Sequence, residues 1–146
     1  MDRDKKFPVC FDNFIMPKEA KYTAIKVYRA CPTGKVEMES FIPSHMEHNM
    51  NKLSADELKD PKKYSLSVDI TYKGVKRFLK HRDGIPSRYK IAIGTTNPEC
   101  GPSVLTKEYK KGSKTHVDWW LYEGAENDAY KHFEIIEAEE AEHKEN

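Results

Sequence analysis

The sequence predicts an α+β fold: a single domain with a mixed or mostly antiparallel sheet of about five strands and two or three short helices. Three observations carry that prediction. Apolar and polar side chains alternate with the two-residue period of a strand in separate runs at Ile25-Val27-Arg29, Tyr64-Leu66-Val68-Ile70 and Tyr89-Ile91-Ile93. Sustained helical spacing, by contrast, is confined to Thr71–Arg82. Strand signals outnumber helical ones, and turn sequences separate the later strands, which favours hairpin-like neighbours over a doubly wound parallel sheet. A chain of 146 residues can bury one core without covalent staples. Residues 1–137 are therefore expected to form one domain, with an acidic tail at 138–146.

Taken in order, the elements have the following warrants. Met1 to Ala20 sets Phe7, Phe11 and Phe14 between Pro8 and Pro17, so it should pack by its aromatics without regular structure. Thr23 to Ala30 reads as a strand with Ile25, Val27 and Arg29 on one face, and Cys31-Pro32-Thr33-Gly34 turns the chain. Val36 to Met50 is broken at Pro43, after which a helical turn would bring His45 and His48 to one side. Ser54-Ala55-Asp56-Glu57 is a capping box that starts a short helix ending before Pro61. Tyr64 to Ile70 is the clearest strand, with Ser65, Ser67 and Asp69 opposite its apolar face. In the helix at 71–82, Val75, Phe78 and Leu79 form the apolar stripe; Asp69 or Thr71 caps it and Asp83-Gly84 ends it. Strands are then expected at 88–96, at 104–109 as a short piece, at 116–122 and at 132–136, with an irregular Gly/Pro loop between the first two and a polar loop before the last.

Charge and cysteine usage narrow the function classes. The net charge of +1 gives no bulk attraction to nucleic acid or to an anionic surface. Locally the chain is polarised: residues 59–90 carry ten Lys or Arg against three Asp, whereas residues 134–146 carry six Glu against one Lys. Cys10, Cys31 and Cys100 are odd in number and widely spaced, which disfavours a disulfide scaffold or a cysteine zinc site and fits a reducing, cytoplasmic setting. No apolar run approaches the ~20 residues of a membrane span, so no membrane contact is expected.

The chemistry is expected around Thr115-His116-Val117-Asp118-Trp119-Trp120-Leu121-Tyr122-Glu123-Gly124. On a strand, His116, Asp118 and Trp120 share one face, and the two neighbouring tryptophans cannot. Arg29, Ser65 and Ser67 project from earlier strands. If these strands are neighbours, the groups line one cleft, in which Arg29 pairs with phosphate, the serines donate hydrogen bonds, Trp120 offers a stacking face and Asp118 orients His116. The expected ligand is a nucleotide or another phosphorylated small molecule. A competing enzymatic reading uses His116 and Asp118 as ligands of a divalent metal, with a third from His45, His48, His81 or His132; H-x-D is a weak pattern, and no metal site is assigned. No G-x-S-x-G elbow, phosphate loop or dinucleotide glycine fingerprint is present. A non-enzymatic reading treats the helix 71–82 as a nucleic-acid surface, with Lys73, Lys76, Arg77 and Lys80 tracking phosphates, or treats an exposed tryptophan as the anchor of a protein partner. The simplest reading of those cations is a solvated helix face, and of the tryptophans that one is core and the other half covered by the 109–112 turn.

Two resemblances add expectations. Tyr28-Arg29, then Tyr64-Ser65-Leu66-Ser67 before a helix, then Glu134 within Phe133-Glu134-Ile135-Ile136 follow an order that resembles ADP-ribosyltransferase-like folds over about half the chain. That resemblance implies NAD as cofactor or substrate, Arg29 on its pyrophosphate, the serine strand on the nicotinamide side and Glu134 orienting the attacking group. The chain departs from the pattern at Leu66, where threonine is usual, and Glu123 competes with Glu134. The His116-Val117-Asp118-Trp119-Trp120-Leu121-Tyr122 stretch, with Gly94-Thr95-Thr96 and Gly101, resembles small bacterial and prophage-borne proteins, which implies a mobile-element or phage-conflict setting and no particular mechanism.

Overall fold

The computed structural model describes residues 5–47, 49–80 and 89–137. His48, His81, Arg82, the expected helix stop at Asp83-Gly84 and the acidic tail at 138–146 lie outside the described residues, as do the side chains of Phe78, expected in the apolar stripe of the helix, and of Lys80. The fold is α+β. One six-stranded sheet is formed by β1 (Lys26–Cys31), β2 (Leu66–Asp69), β3 (Lys90–Thr95), β4 (Ser103–Leu105), β5 (His116–Trp119) and β6 (Phe133–Ile135). The strands stand in the order β4-β5-β2-β1-β3-β6, and each neighbouring pair is antiparallel. Among the described residues the α-helices are α1 (Ser44–Glu47), α2 (Ala55–Leu58), α3 (Tyr72–Lys80) and α4 (Glu126–Ala129).

Alternation along the strands decides which side chains go where. One face of the sheet carries Val27, Leu66, Val68, Val117, Trp119 and Phe133 into the larger core. The other carries Tyr28, Ala30, Ile91 and Ile93 against Tyr72, Val75 and Leu79 of α3, so the apolar stripe of the helix meets an apolar sheet face. The aromatic N-terminal segment covers a third cluster: Phe11 and Phe14 pack with Tyr64, Val104 and Trp120. Irregular structure was expected there; Val9–Asn13 forms a 3-10 turn, and Pro8 immediately before it fits the short helical start.

The capping box is present, with Ser54 accepting from the Glu57 amide at 3.1 Å and Glu57 accepting from the Ser54 amide at 3.1 Å. Other expectations need correction. Ile70 does not join the core; β2 ends at Asp69, the Ile70 amide donates to the Thr115 carbonyl, and its side chain is 37% exposed. The two tryptophans point to opposite faces, but neither is left half covered, since both are fully buried. Each indole N–H donates to a backbone carbonyl, Trp119 to Gly101 at 3.1 Å and Trp120 to Pro61 at 2.9 Å, which removes the cost of burying an unpaired donor.

The sheet is uneven at its centre. β1 and β3 are in register over six residue pairs, from Lys26↔Thr95 to Cys31↔Lys90, whereas β1 and β2 share one, Tyr28↔Asp69. Beyond that pair the two strands part. A carbonyl facing such a gap needs a donor from elsewhere. Arg29 supplies it: its NH1 donates to the Ser67 carbonyl at 3.0 Å, and its Nε donates to the Ser40 carbonyl at 3.0 Å.

Candidate functional site

The parting of β1 and β2 opens a cleft of about 40 Å³ beneath the first turns of α3. Arg29 from β1, Ser67 and Asp69 from β2, and His116 from β5 form its polar wall, and Tyr28, Ala30 and Val75 its apolar wall. The register places these groups together. His116 lies opposite Asp69, Asp118 lies opposite Ser67, and Asp69 lies opposite Tyr28, so these five share one face of the sheet, whereas Arg29, next to Tyr28 on β1, belongs to the opposite face and reaches the Ser67 carbonyl at the gap between the strands.

Behind His116 stands Asp118, fully buried. A buried carboxylate is tolerable only when its oxygens are supplied with donors. Three hydroxyls do so: Ser65 Oγ donates to Oδ1 at 2.6 Å, and Thr106 Oγ1 and Tyr109 OH donate to Oδ2 at 2.7 and 2.6 Å. Burial and the adjacent Asp118 carboxylate push the Tyr109 phenol above its ordinary range, so it stays a donor. His116 Nδ1 lies 2.6 Å from Thr106 Oγ1 and 3.8 Å from Asp118 Oδ1. Burial lowers the His116 pKa from 6.5, against the opposing pull of Asp118, which favours the neutral ring.

Asp69 organises the other side of the cleft. Its Oδ1 accepts from the Thr71 amide at 2.8 Å and the Thr71 hydroxyl at 2.9 Å, and its Oδ2 accepts from the Thr115 hydroxyl at 3.1 Å. The Thr71 hydroxyl in turn accepts from the Gly74 amide at 2.9 Å. Both expected capping residues thus act in series at the start of α3. A Cβ at position 74 would overlap the Asp69 carboxylate, so glycine is what allows the carboxylate to sit against the helix.

Several expected site residues stand elsewhere. Ser65 is buried behind the cleft and serves Asp118. Trp120, expected to be a stacking face, lies just past the end of β5 and is enclosed by the N-terminal aromatic cluster and Tyr109 in the third core cluster; no tryptophan is left to anchor a partner either. Glu134 is exposed on edge strand β6. It shares a row with His116 through Ile93, Tyr28 and Asp69, so four strand spacings separate the two, about 19 Å. A single catalytic group of His116, Asp118 and Glu134 is therefore not assembled. The cleft volume, about 40 Å³, lies well below the ~300–1,000 Å³ range of sites that enclose a whole small molecule, so it seats a group rather than an entire ligand; with Glu134 this far away as well, the residues do not fit a whole NAD, and no step is assigned to it.

On α3, Lys73, Lys76 and Arg77 are exposed, and the Lys76 ammonium lies 5.7 Å from the Tyr72 ring centroid. Among the described residues no three His, Cys, Asp or Glu side chains come together as a metal site. No helix among them is long and apolar enough to cross a membrane.

Thr106, Tyr109 and Thr115 escaped sequence reasoning. The first two follow β4, whose pairing sets Val104 opposite Asp118, and nothing local in 103–109 signals that its hydroxyls will meet a carboxylate twelve and nine residues away. No family model matches the chain, and neither does any curated protein or solved structure.

Proposed function

We propose that the protein binds a small phosphorylated ligand whose phosphate sits in the cleft between β1 and β2 and whose remainder lies outside it. The observation that carries this reading is the convergence of Arg29, Ser67 and His116, from three strands, on one cleft. Arg29 is the one cation among the described residues lining it. Its guanidinium is held in place by the Ser40 and Ser67 carbonyls, and its NH2 lies 4.0 Å from Glu47, so an anion entering the cleft meets a positive charge fixed in position. Asp69, the one carboxylate of the lining, has both oxygens supplied with donors, which tempers its repulsion of an anion. Ser67 contributes a hydroxyl at the wall, and Tyr28, Ala30 and Val75 form the apolar side.

The test is a thermal-shift comparison of mononucleotides, pyrophosphate and inorganic phosphate on the wild-type protein and on Ser67→Phe, which fills the cleft. A ligand at ~100 times its Kd stabilises the fold by ~2.7 kcal/mol. That gain should vanish in Ser67→Phe and persist in a Lys73→Glu/Lys76→Glu/Arg77→Glu variant. The opposite pattern would assign the anion to the outer face of α3 and sink the cleft reading.

A further inference from the structure

We propose that His116 is a proton acceptor for the cleft, held in the Nδ1–H tautomer by the Thr106 hydroxyl acting as a bridge to Asp118. The argument is one of hydrogen counting. Thr106 Oγ1 carries one hydrogen and stands within bonding distance of two groups, Asp118 Oδ2 at 2.7 Å and His116 Nδ1 at 2.6 Å. A carboxylate can only accept, and a hydrogen bond to a charged acceptor is the stronger of the two. The Thr106 hydrogen therefore goes to Asp118, and the contact to His116 closes only if Nδ1 is the donor. In a neutral imidazole that leaves the lone pair on Nε2.

The surroundings favour this order. Ser65 and Tyr109 supply two further donors to Asp118, as a carboxylate requires and a carboxylic acid does not. Thr106 is 1% exposed and Asp118 fully buried, so water does not compete for the bridge. His116, on the cleft wall, is the member of the chain that meets the cleft, and Nε2 has no hydrogen-bond partner among the described residues. The arrangement holds a base without a direct carboxylate contact, because Asp118 Oδ1 lies 3.8 Å from Nδ1. Its charge balance is set by Asp118 on β5, Asp69 on β2, Arg29 on β1 and Lys62 just before β2, while the nearby part of α3 contributes only Gly74 and Val75 to the cleft.

The proton comes from a hydroxyl of the bound ligand. The ligand O–H bond breaks with its electron pair left on oxygen, Nε2 gains the hydrogen, and the imidazolium that forms keeps Nδ1–H on Thr106 with Asp118 beyond it. This role for the base rests on the cleft being the ligand site; the tautomer does not. Thr106 is a positioning residue in this scheme.

The ring nitrogens of His116 in the ligand-free protein, read by nitrogen-15 NMR at a pH where the ring is neutral, test the claim directly. The expected result is Nδ1–H as the dominant form in the wild type, loss of that dominance in Thr106→Val, and its recovery in Thr106→Ser. An Nε2–H ring in the wild type would overturn the proposal, since Thr106 would then donate to His116. So would a Thr106→Val protein whose tautomer is unchanged. If Thr106→Val does not fold, the wild-type and Thr106→Ser spectra still decide. Failure of the ligand screen with an Nδ1–H ring would remove the ligand reading and leave the bridge standing.

Discussion

Asp118 is a carboxylate sealed inside the protein, and its three hydroxyl donors are what make it tolerable there. Removing the acceptor leaves the half-buried Tyr109 hydroxyl without its partner and the buried Ser65 and Thr106 hydroxyls with only the Lys62 carbonyl and His116, so Asp118→Ala should lose about 1–3 kcal/mol in urea unfolding. Tyr109→Phe removes one donor of three and should cost about 1–3 kcal/mol. A pH dependence belongs to the same scale. His116 and His45 both have pKa values lowered from 6.5, chiefly by burial, so the unfolded chain binds protons that the folded chain does not. Stability should be flat above about pH 6.5 and fall as the pH drops from there toward the lowered folded values. Replacing His116 with glutamine should shallow that fall in a pH series of denaturant midpoints; an unchanged series would mean that His116 titrates alike in both states.

At the scale of elements, α3 shows where propensity gives way to packing. Glycine within a helix ordinarily costs ~1 kcal/mol relative to alanine. At position 74 the sign should reverse: the added methyl meets the Asp69 carboxylate, and Gly74→Ala should destabilise by about 1–3 kcal/mol, detectable as a lowered Tm. The sequence made α3 and most strands legible, because alternation at 64–69 and the stripe of Val75 and Leu79 are local patterns. It also put Ser65, Ser67, His116 and Asp118 on the correct faces, since the two-residue period needs no knowledge of neighbours. The meeting of those residues was not legible. It follows from β5 pairing with β2 across 46 or more residues of chain, and the cleft follows from a single register pair between β1 and β2. Glu134 was misplaced for the same reason: the order of elements along the chain resembled a known arrangement, but strand order in the sheet sends β6 to the far edge.

At the scale of the whole molecule, the tryptophans report on the three cores together. Trp119 belongs to the larger core and Trp120 to the N-terminal aromatic cluster, both without exposed surface. Emission of the folded protein should be blue-shifted and poorly quenched by acrylamide, and a truncation lacking residues 1–16 should expose Trp120 and raise the quenching. Basic side chains on the outer side of α3 face away from the cleft-forming stripe, so two candidate anion surfaces lie on one molecule. The measurement that separates them most directly is a backbone amide shift map during titration with a mononucleotide at moderate salt. The account predicts changes concentrated at 28–30, 67–69, 74–75 and 116. Changes confined to the exposed positions of α3 around Lys73, Lys76 and Arg77, with His116 unmoved, would contradict it.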